Sequence, residues 1–126
     1  NCQSSVIQCP STNHICSISC LDALHQSCLS ITIIGNTSLF SGTLNIRGSS
    51  SEQILAHSTI FCPRNGECNI HCMAENACDH ATIHTSHATM LHLVANGSWS
   101  LQYAQIYGSS NSEYKLTCLG ASSCID

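Results

Sequence analysis

The stretch Ser58-Thr59-Ile60-Phe61-Cys62-Pro63, followed by Cys68-Asn69-Ile70-His71-Cys72, decides the fold. It copies Ser5-Val6-Ile7-Gln8-Cys9-Pro10 and Cys16-Ser17-Ile18-Ser19-Cys20, which lie 52 to 53 residues earlier. Each copy runs on to a further cysteine, Cys28 in the first and Cys78 in the second. A motif Cys-x-x-[Ala/Ser/Ile]-x-Ile recurs at Cys2 to Ile7, Cys28 to Ile33 and Cys78 to Ile83. At an offset of 60, Ile31-Thr32-Ile33-Ile34-Gly35-Asn36-Thr37-Ser38 also lies over Leu91-His92-Leu93-Val94-Ala95-Asn96-Gly97-Ser98. In the same register Asn45-Ile46-Arg47-Gly48 lies over Gln105-Ile106-Tyr107-Gly108. Self-similarity at a fixed period is the mark of a repeat architecture. The chain 1–126 therefore reads as one domain of two imperfect repeats, about 2–54 and 55–118, with a partial third at the C-terminus.

Inside each repeat the pattern is short alternation of branched apolar and polar residues, which is the signature of strands. Strands are expected near 5–9, 15–20, 30–34, 43–47, 57–62, 67–72, 80–84, 90–95, 102–107 and 114–118, with punctuation such as Asn65-Gly66 between them. Many short, evenly spaced strands fit a sandwich, a barrel or a solenoid. The repeat favours the solenoid, because only there does a residue return to the same station on each rung. The expected fold is an all-β, disulfide-stapled parallel β-helix with two to three short strands per coil; a β-sandwich is the alternative.

The strings Cys-Pro-x-Cys-x-Ile-x-Cys and Ala77-Cys78-Asp79-His80-Ala81-Thr82-Ile83 resemble cysteine-rich β-helical repeats of secreted or surface proteins of protists, which are similar to the pectin-lyase-like β-helix. The resemblance spans most of residues 2–124 and implies a β-helix in an extracellular setting. No catalytic residue carries over.

Composition narrows the function. Eleven cysteines in 126 residues is the density of a disulfide-stapled secreted chain. Only 8% of residues are charged, the net charge is −4, and the basic residues are Arg47, Arg64 and Lys115, so nucleic acid is not an expected partner. Neither a signal peptide nor an apolar run long enough to span a membrane occurs, and the chain reads as a mature, soluble, extracellular segment. Serine and threonine supply 30 residues, and sequons stand at Asn36 and Asn96, with an Asn-x-Cys form at Asn76. Asn36 and Asn96 are the expected glycosylation sites.

Two disulfide schemes are open, since spacing does not fix connectivity. Local pairing joins Cys9–Cys16, Cys20–Cys28, Cys62–Cys68, Cys72–Cys78 and Cys118–Cys124; the other scheme joins equivalent stations on neighbouring rungs, such as Cys16 with Cys68 or Cys20 with Cys72. The local scheme leaves Cys2 over, as a free or intermolecular thiol. Structural zinc is not expected, because the spacings are not Cys-x2-Cys. His80, His84 and His87 invite a metal reading, but on a strand His80 and His84 share a face that His87 leaves, so solvated side chains are expected.

The acids Asp22, Glu52, Glu67, Glu75, Asp79, Glu113 and Asp126 form no evident catalytic pair, and Glu75 and Asp79 read as turn charges. No nucleophile elbow or phosphate loop is present, so no enzyme, cofactor or metal is expected. A threonine ladder able to order water looks broken, with Thr37 set against Gly97 and Thr43 against Tyr103. Phe40, Phe61, Trp99, Tyr103, Tyr107 and Tyr114 look scattered. Because the chain begins and stops near one station of its repeat, the expected role is structural. It is read as an extracellular glycoprotein whose copies stack head to tail into a filament. A carbohydrate-binding surface adhesin is the alternative.

Overall fold

The computed structural model describes residues 4–10, 15–20, 28–35, 42–48, 54–85, 88–108, 112–120 and 122–124. The chain is an all-β parallel solenoid with two strands per coil. Sheet A stacks β1 (Val6–Gln8), β3 (Thr32–Ile34), β5 (Thr59–Phe61), β7 (Thr82–His84) and β9 (Gln105–Tyr107). Sheet B stacks β2 (Ile15–Cys20), β4 (Thr43–Gly48), β6 (Glu67–Cys72), β8 (Met90–Ala95) and β10 (Glu113–Cys118). We number the rungs 1 to 5, each an odd-numbered strand followed by its even-numbered neighbour. All ten strands fall where the alternation places them.

Strand alternation builds the core. Ile33, Ile60 and Ile83 form one buried inward column of sheet A, flanked by Ile7 and Ile106 at its ends. Ile46, Ile70 and Leu93 form the matching column of sheet B, between Ile18 and Leu116. Facing columns interdigitate, and each fully buried Ile or Leu contributes about 1.5–3 kcal/mol of transfer free energy. The ladder weakens at the last rung: Ile106 is 42% and Leu116 54% exposed, whereas Ile83 and Leu93 one rung earlier are 0% and 1%. A cavity of ≈ 90 Å³ opens there, lined by Leu93, Leu101, Ala104, Ile106, Leu116 and Cys124.

Among the described residues the third side of the coil carries no strand. Ala77, Asp79 and Ala81 donate their N–H groups to the carbonyls of Ala74, Asn76 and Cys78, making three consecutive β-turns, and Ser100, Gln102 and Ala104 repeat this on Gly97, Trp99 and Leu101. The third residue of each turn has φ between 54° and 62°: Asn76, Cys78, His80, Trp99, Leu101 and Tyr103. Each non-glycine residue in this left-handed region costs about 1–2 kcal/mol. Bonds to adjacent rungs offset that cost, with His57 N–H donating to Asp79, His80 to Gln102, Cys78 to Ile54 and Leu101 to Ala77.

The registers also correct the repeat alignment. Ile33 stacks on Ile60 and Ile83 in sheet A, whereas Leu91 and Leu93 lie in sheet B beside Cys68 and Ile70. Asn45 and Gln105 likewise belong to different sheets. The overlay at an offset of 60 therefore joins different sides of the coil, because period-2 alternation looks alike on both sheets. The offset of 52 to 53 is real and equals two coils.

Five disulfides follow the local scheme: Cys9–Cys16, Cys20–Cys28, Cys62–Cys68, Cys72–Cys78 and Cys118–Cys124. The rung-to-rung scheme fails on distance. Cys16 pairs with Leu44 and Leu44 with Cys68, so Cys16 and Cys68 are two rungs apart. Two rungs span about 9.5 Å, beyond the roughly 7 Å that a disulfide can bridge. Cys2 and Asn36 lie outside the described residues.

Candidate functional site: the outer face of sheet A

Outward residues of a parallel stack return to the same column on every rung, so a coil motif becomes a stripe. The motif here is ring-x-Thr-Ile-ring, with Gln in place of Thr on the last rung. It reads His57-Ser58-Thr59-Ile60-Phe61 on rung 3, His80-Ala81-Thr82-Ile83-His84 on rung 4 and Tyr103-Ala104-Gln105-Ile106-Tyr107 on rung 5. The isoleucine points inward and the other three marked positions point outward.

Three columns result. His57, His80 and Tyr103 stand on the positive-φ residues of the turn side, with ring centroids 4.9 Å and 4.8 Å apart. Phe61, His84 and Tyr107 stack at 4.6 Å and 5.2 Å with interplanar angles of 8° and 15°. Such spacings match the rung separation of about 4.7–4.9 Å and are favourable ring contacts. Between the two ring columns run Thr32, Thr59 and Thr82 in direct register, ending at Gln105. The threonine ladder expected to be broken is therefore intact over three rungs, and three of the aromatic residues that look scattered in the sequence are gathered here. Threonine is the shortest of these side chains, so the middle column is the floor of a shallow furrow. Its walls, four residues apart along the chain, are at most about 13 Å apart.

His57–His80, Phe61–His84 and His84–Tyr107 are stacked and His80–Tyr103 is tilted by 41°, so the ring faces are turned mainly toward one another. The furrow accordingly offers hydroxyl, imidazole and amide groups rather than open ring faces. Tyr107 O–H donates to Gln105 Oε1 at 2.9 Å. Among the described residues, the three columns carry no Lys, Arg, Asp or Glu; Asp79 stands beside them, its Oδ1 2.8 Å from His80 Nδ1.

Sheet B's outer face differs. It carries Arg47, Glu67, Glu113 and Lys115, an asparagine ladder in which Asn69 Nδ2 donates to Asn45 Oδ1 at 2.9 Å, and His71 tilted against His92 at 6.4 Å. Burial, then the neighbouring His92 and Arg47, hold the His71 imidazolium below its ordinary pKa.

His80 and His84 do share the sheet A face, two columns apart, while His87 lies outside the described residues. His57 was invisible to that reading because it joins His80 only through the coil. Asn96 is exposed just after β8, and Trp99 is exposed on the turn side. Glu75 is exposed, whereas Asp79 is engaged with His80. Among the described residues no helix is long and apolar enough to cross a membrane. Comparison with protein-family models, curated proteins and solved structures finds no match for this chain. The five disulfides point to an oxidising, secretory environment.

Proposed function

We propose that this chain is an extracellular binding module whose working surface is the sheet A furrow, and that its ligand is a neutral, hydroxyl-rich polymer such as a polysaccharide. The observation that carries this reading is the in-register Thr59-Thr82-Gln105 floor between two ring columns. A charged ligand would require countercharges that the furrow lacks, whereas sugar hydroxyls match its hydroxyl, imidazole and amide groups. A rigid ladder repeating at each rung suits a ligand that itself repeats. The resemblance to protist surface-protein repeats is in keeping with this setting, as are glycans at the exposed Asn96 and at Asn36.

The test is retention of the non-reduced protein on a panel of insoluble neutral polysaccharides and on a glycan array. Retention on at least one neutral glycan is expected. It should be abolished in the double variant Thr59→Lys/Thr82→Lys and kept in Lys115→Ser on sheet B. Absence of retention on every glycan, or retention unchanged by the two lysines, overturns the reading.

A second reading, head-to-tail stacking into a filament, is favoured by the exposed Ile106 and Leu116 beside the free edges of β9 and β10. A second copy's first rung would cover them. That seam would also set Cys118–Cys124 next to Cys20–Cys28, whereas disulfides never occupy adjacent rungs at this station within the chain. Light scattering and electron microscopy of the native protein distinguish the two, since stacking requires concentration-dependent linear growth.

A further inference from the structure

The turn side brings together three metal-ligating side chains that are not contiguous in sequence. His57 precedes β5, Asp79 and His80 precede β7, and one donor atom from each lies within 4.8 Å of the others. We propose that His57, Asp79 and His80 form a binding site for one divalent transition-metal ion of the Zn²⁺/Cu²⁺ class, bridging two successive coils.

Two imidazoles and a carboxylate are the donors that this class of ion prefers over Ca²⁺ or Mg²⁺. Donors about 2.0–2.1 Å from a tetrahedral ion stand about 3.3 Å from each other. The present separations close to that by side-chain rotation alone, since both histidines are exposed. Their backbones are already fixed: each has φ near +55°, and the N–H of His57 is bonded to Asp79 and that of His80 to Gln102. His57 Cα is thus tied by a ladder bond to the residue that supplies the carboxylate. An ion binds in the plane of each ring through a nitrogen lone pair, taking the place of the 2.8 Å contact between His80 Nδ1 and Asp79 Oδ1 where that nitrogen is used, and water completes its shell. The pair His71 and His92 on sheet B is the natural competitor, but its rings are 6.4 Å apart, tilted by 54°, with Arg47 in register beside His71. This inference shares the His57 and His80 wall with the glycan furrow but does not depend on that reading, because neither the threonine floor nor the second ring column takes part.

The experiment is calorimetric titration of the folded, non-reduced, chelator-treated protein with Zn²⁺, alongside melting curves with and without the ion. Asparagine is the substitution of choice at 57 and 80, since it tolerates positive φ and is a poor ligand. A binding phase of one ion per chain is expected, with a raised melting temperature. It should weaken more than about tenfold in His57→Asn and in His80→Asn, and survive intact in His71→Gln/His92→Gln. Circular dichroism should report an unchanged fold in each variant. No uptake by the native protein, a native isotherm in His57→Asn, or loss of the phase in His71→Gln/His92→Gln would each overturn the proposal.

Discussion

Rungs 1 and 3 are cross-linked at both ends of their sheet B strand, by Cys9–Cys16 with Cys20–Cys28 and by Cys62–Cys68 with Cys72–Cys78. Rungs 2 and 4 carry no disulfide among the described residues and fill the same stations with a small residue against a larger one. Gly35 and Leu44 replace the first pair in rung 2, and Thr85 and Leu91 replace it in rung 4. At the other end Gly48 lies under Ile54, and Ala95 faces Leu101. The difference teaches how a cysteine-rich solenoid keeps one connectivity. Within a rung the paired Cα atoms are 5.5–6.2 Å apart. Neighbouring rungs are about 4.8 Å apart, so cysteines at one station of every coil would be within bonding range of the wrong partner. Skipping a rung removes that partner.

The largest effect expected from breaking this arrangement is in rung 3. Replacing both Cys72 and Cys78, each fully buried, by alanine removes a cross-link and leaves a void. Urea unfolding under non-reducing conditions should show a loss of about 2–4 kcal/mol. A loss under about 0.5 kcal/mol would mean that the ladders alone hold rung 3 as firmly as they hold rung 4.

Next comes the small partner in rung 2. A Cβ on Gly48 would stand 2.8 Å from Ile54 Cγ2, so Gly48→Ala overpacks the corner. A cost of about 1–3 kcal/mol is expected. Trimming the neighbour in the double variant Gly48→Ala/Ile54→Ala should relieve the clash, so that the two changes combine less than additively. Strict additivity would show that the small-against-large pairing is incidental.

The comparison sharpens further if the missing cross-link is supplied. Ala95→Cys/Leu101→Cys would put cysteines at this station on rungs 3, 4 and 5 in succession. Peptide mapping should then find mixed connectivity, with thiols at 95 and 101 captured by Cys72, Cys78, Cys118 or Cys124. A single clean sixth local bridge would refute the role assigned to the alternation.

This two-coil rhythm is also what made the fold legible. The recurring cysteines mark every second rung, so they announce repetition at 52 to 53 residues while hiding the coil inside it. Strand positions were readable because short runs rich in branched residues, Thr32-Ile33-Ile34, Thr59-Ile60-Phe61 and Thr82-Ile83-His84, stand between turn residues, a local signal. The turn side was not. Turns of this kind favour Gly or Asn at the third position, and the chain places Cys78, His80, Leu101 and Tyr103 there, supported by bonds to other rungs that no local reading contains. The furrow was hidden for a related reason. Thr32 to Thr59 is 27 residues and Thr59 to Thr82 is 23, so no fixed period aligns the ladder, and His57 meets His80 only after the coil has closed.

The smallest expected effect joins an uncross-linked rung to its cross-linked neighbour through charge. Arg47 on rung 2 is in register with His71 on rung 3, and His92 on rung 4 approaches from the other side. Burial first, then His92 and Arg47, disfavour the charged imidazole, so the His71 pKa in the folded chain lies below 6.5. The unfolded chain then takes up the proton more readily than the folded one. This contribution to stability is therefore fully present above about pH 6.5. It is lost as the pH falls through that value toward the folded midpoint. Proton NMR should give His71 a midpoint below 6.5. Arg47→Gln should raise that midpoint only part of the way, because burial remains the larger cause, and His92→Gln should raise it as well. A native midpoint at or above 6.5, or one indifferent to both substitutions, would mean that neighbouring rungs are coupled through their ladders and ring stacks but not through the charges on sheet B.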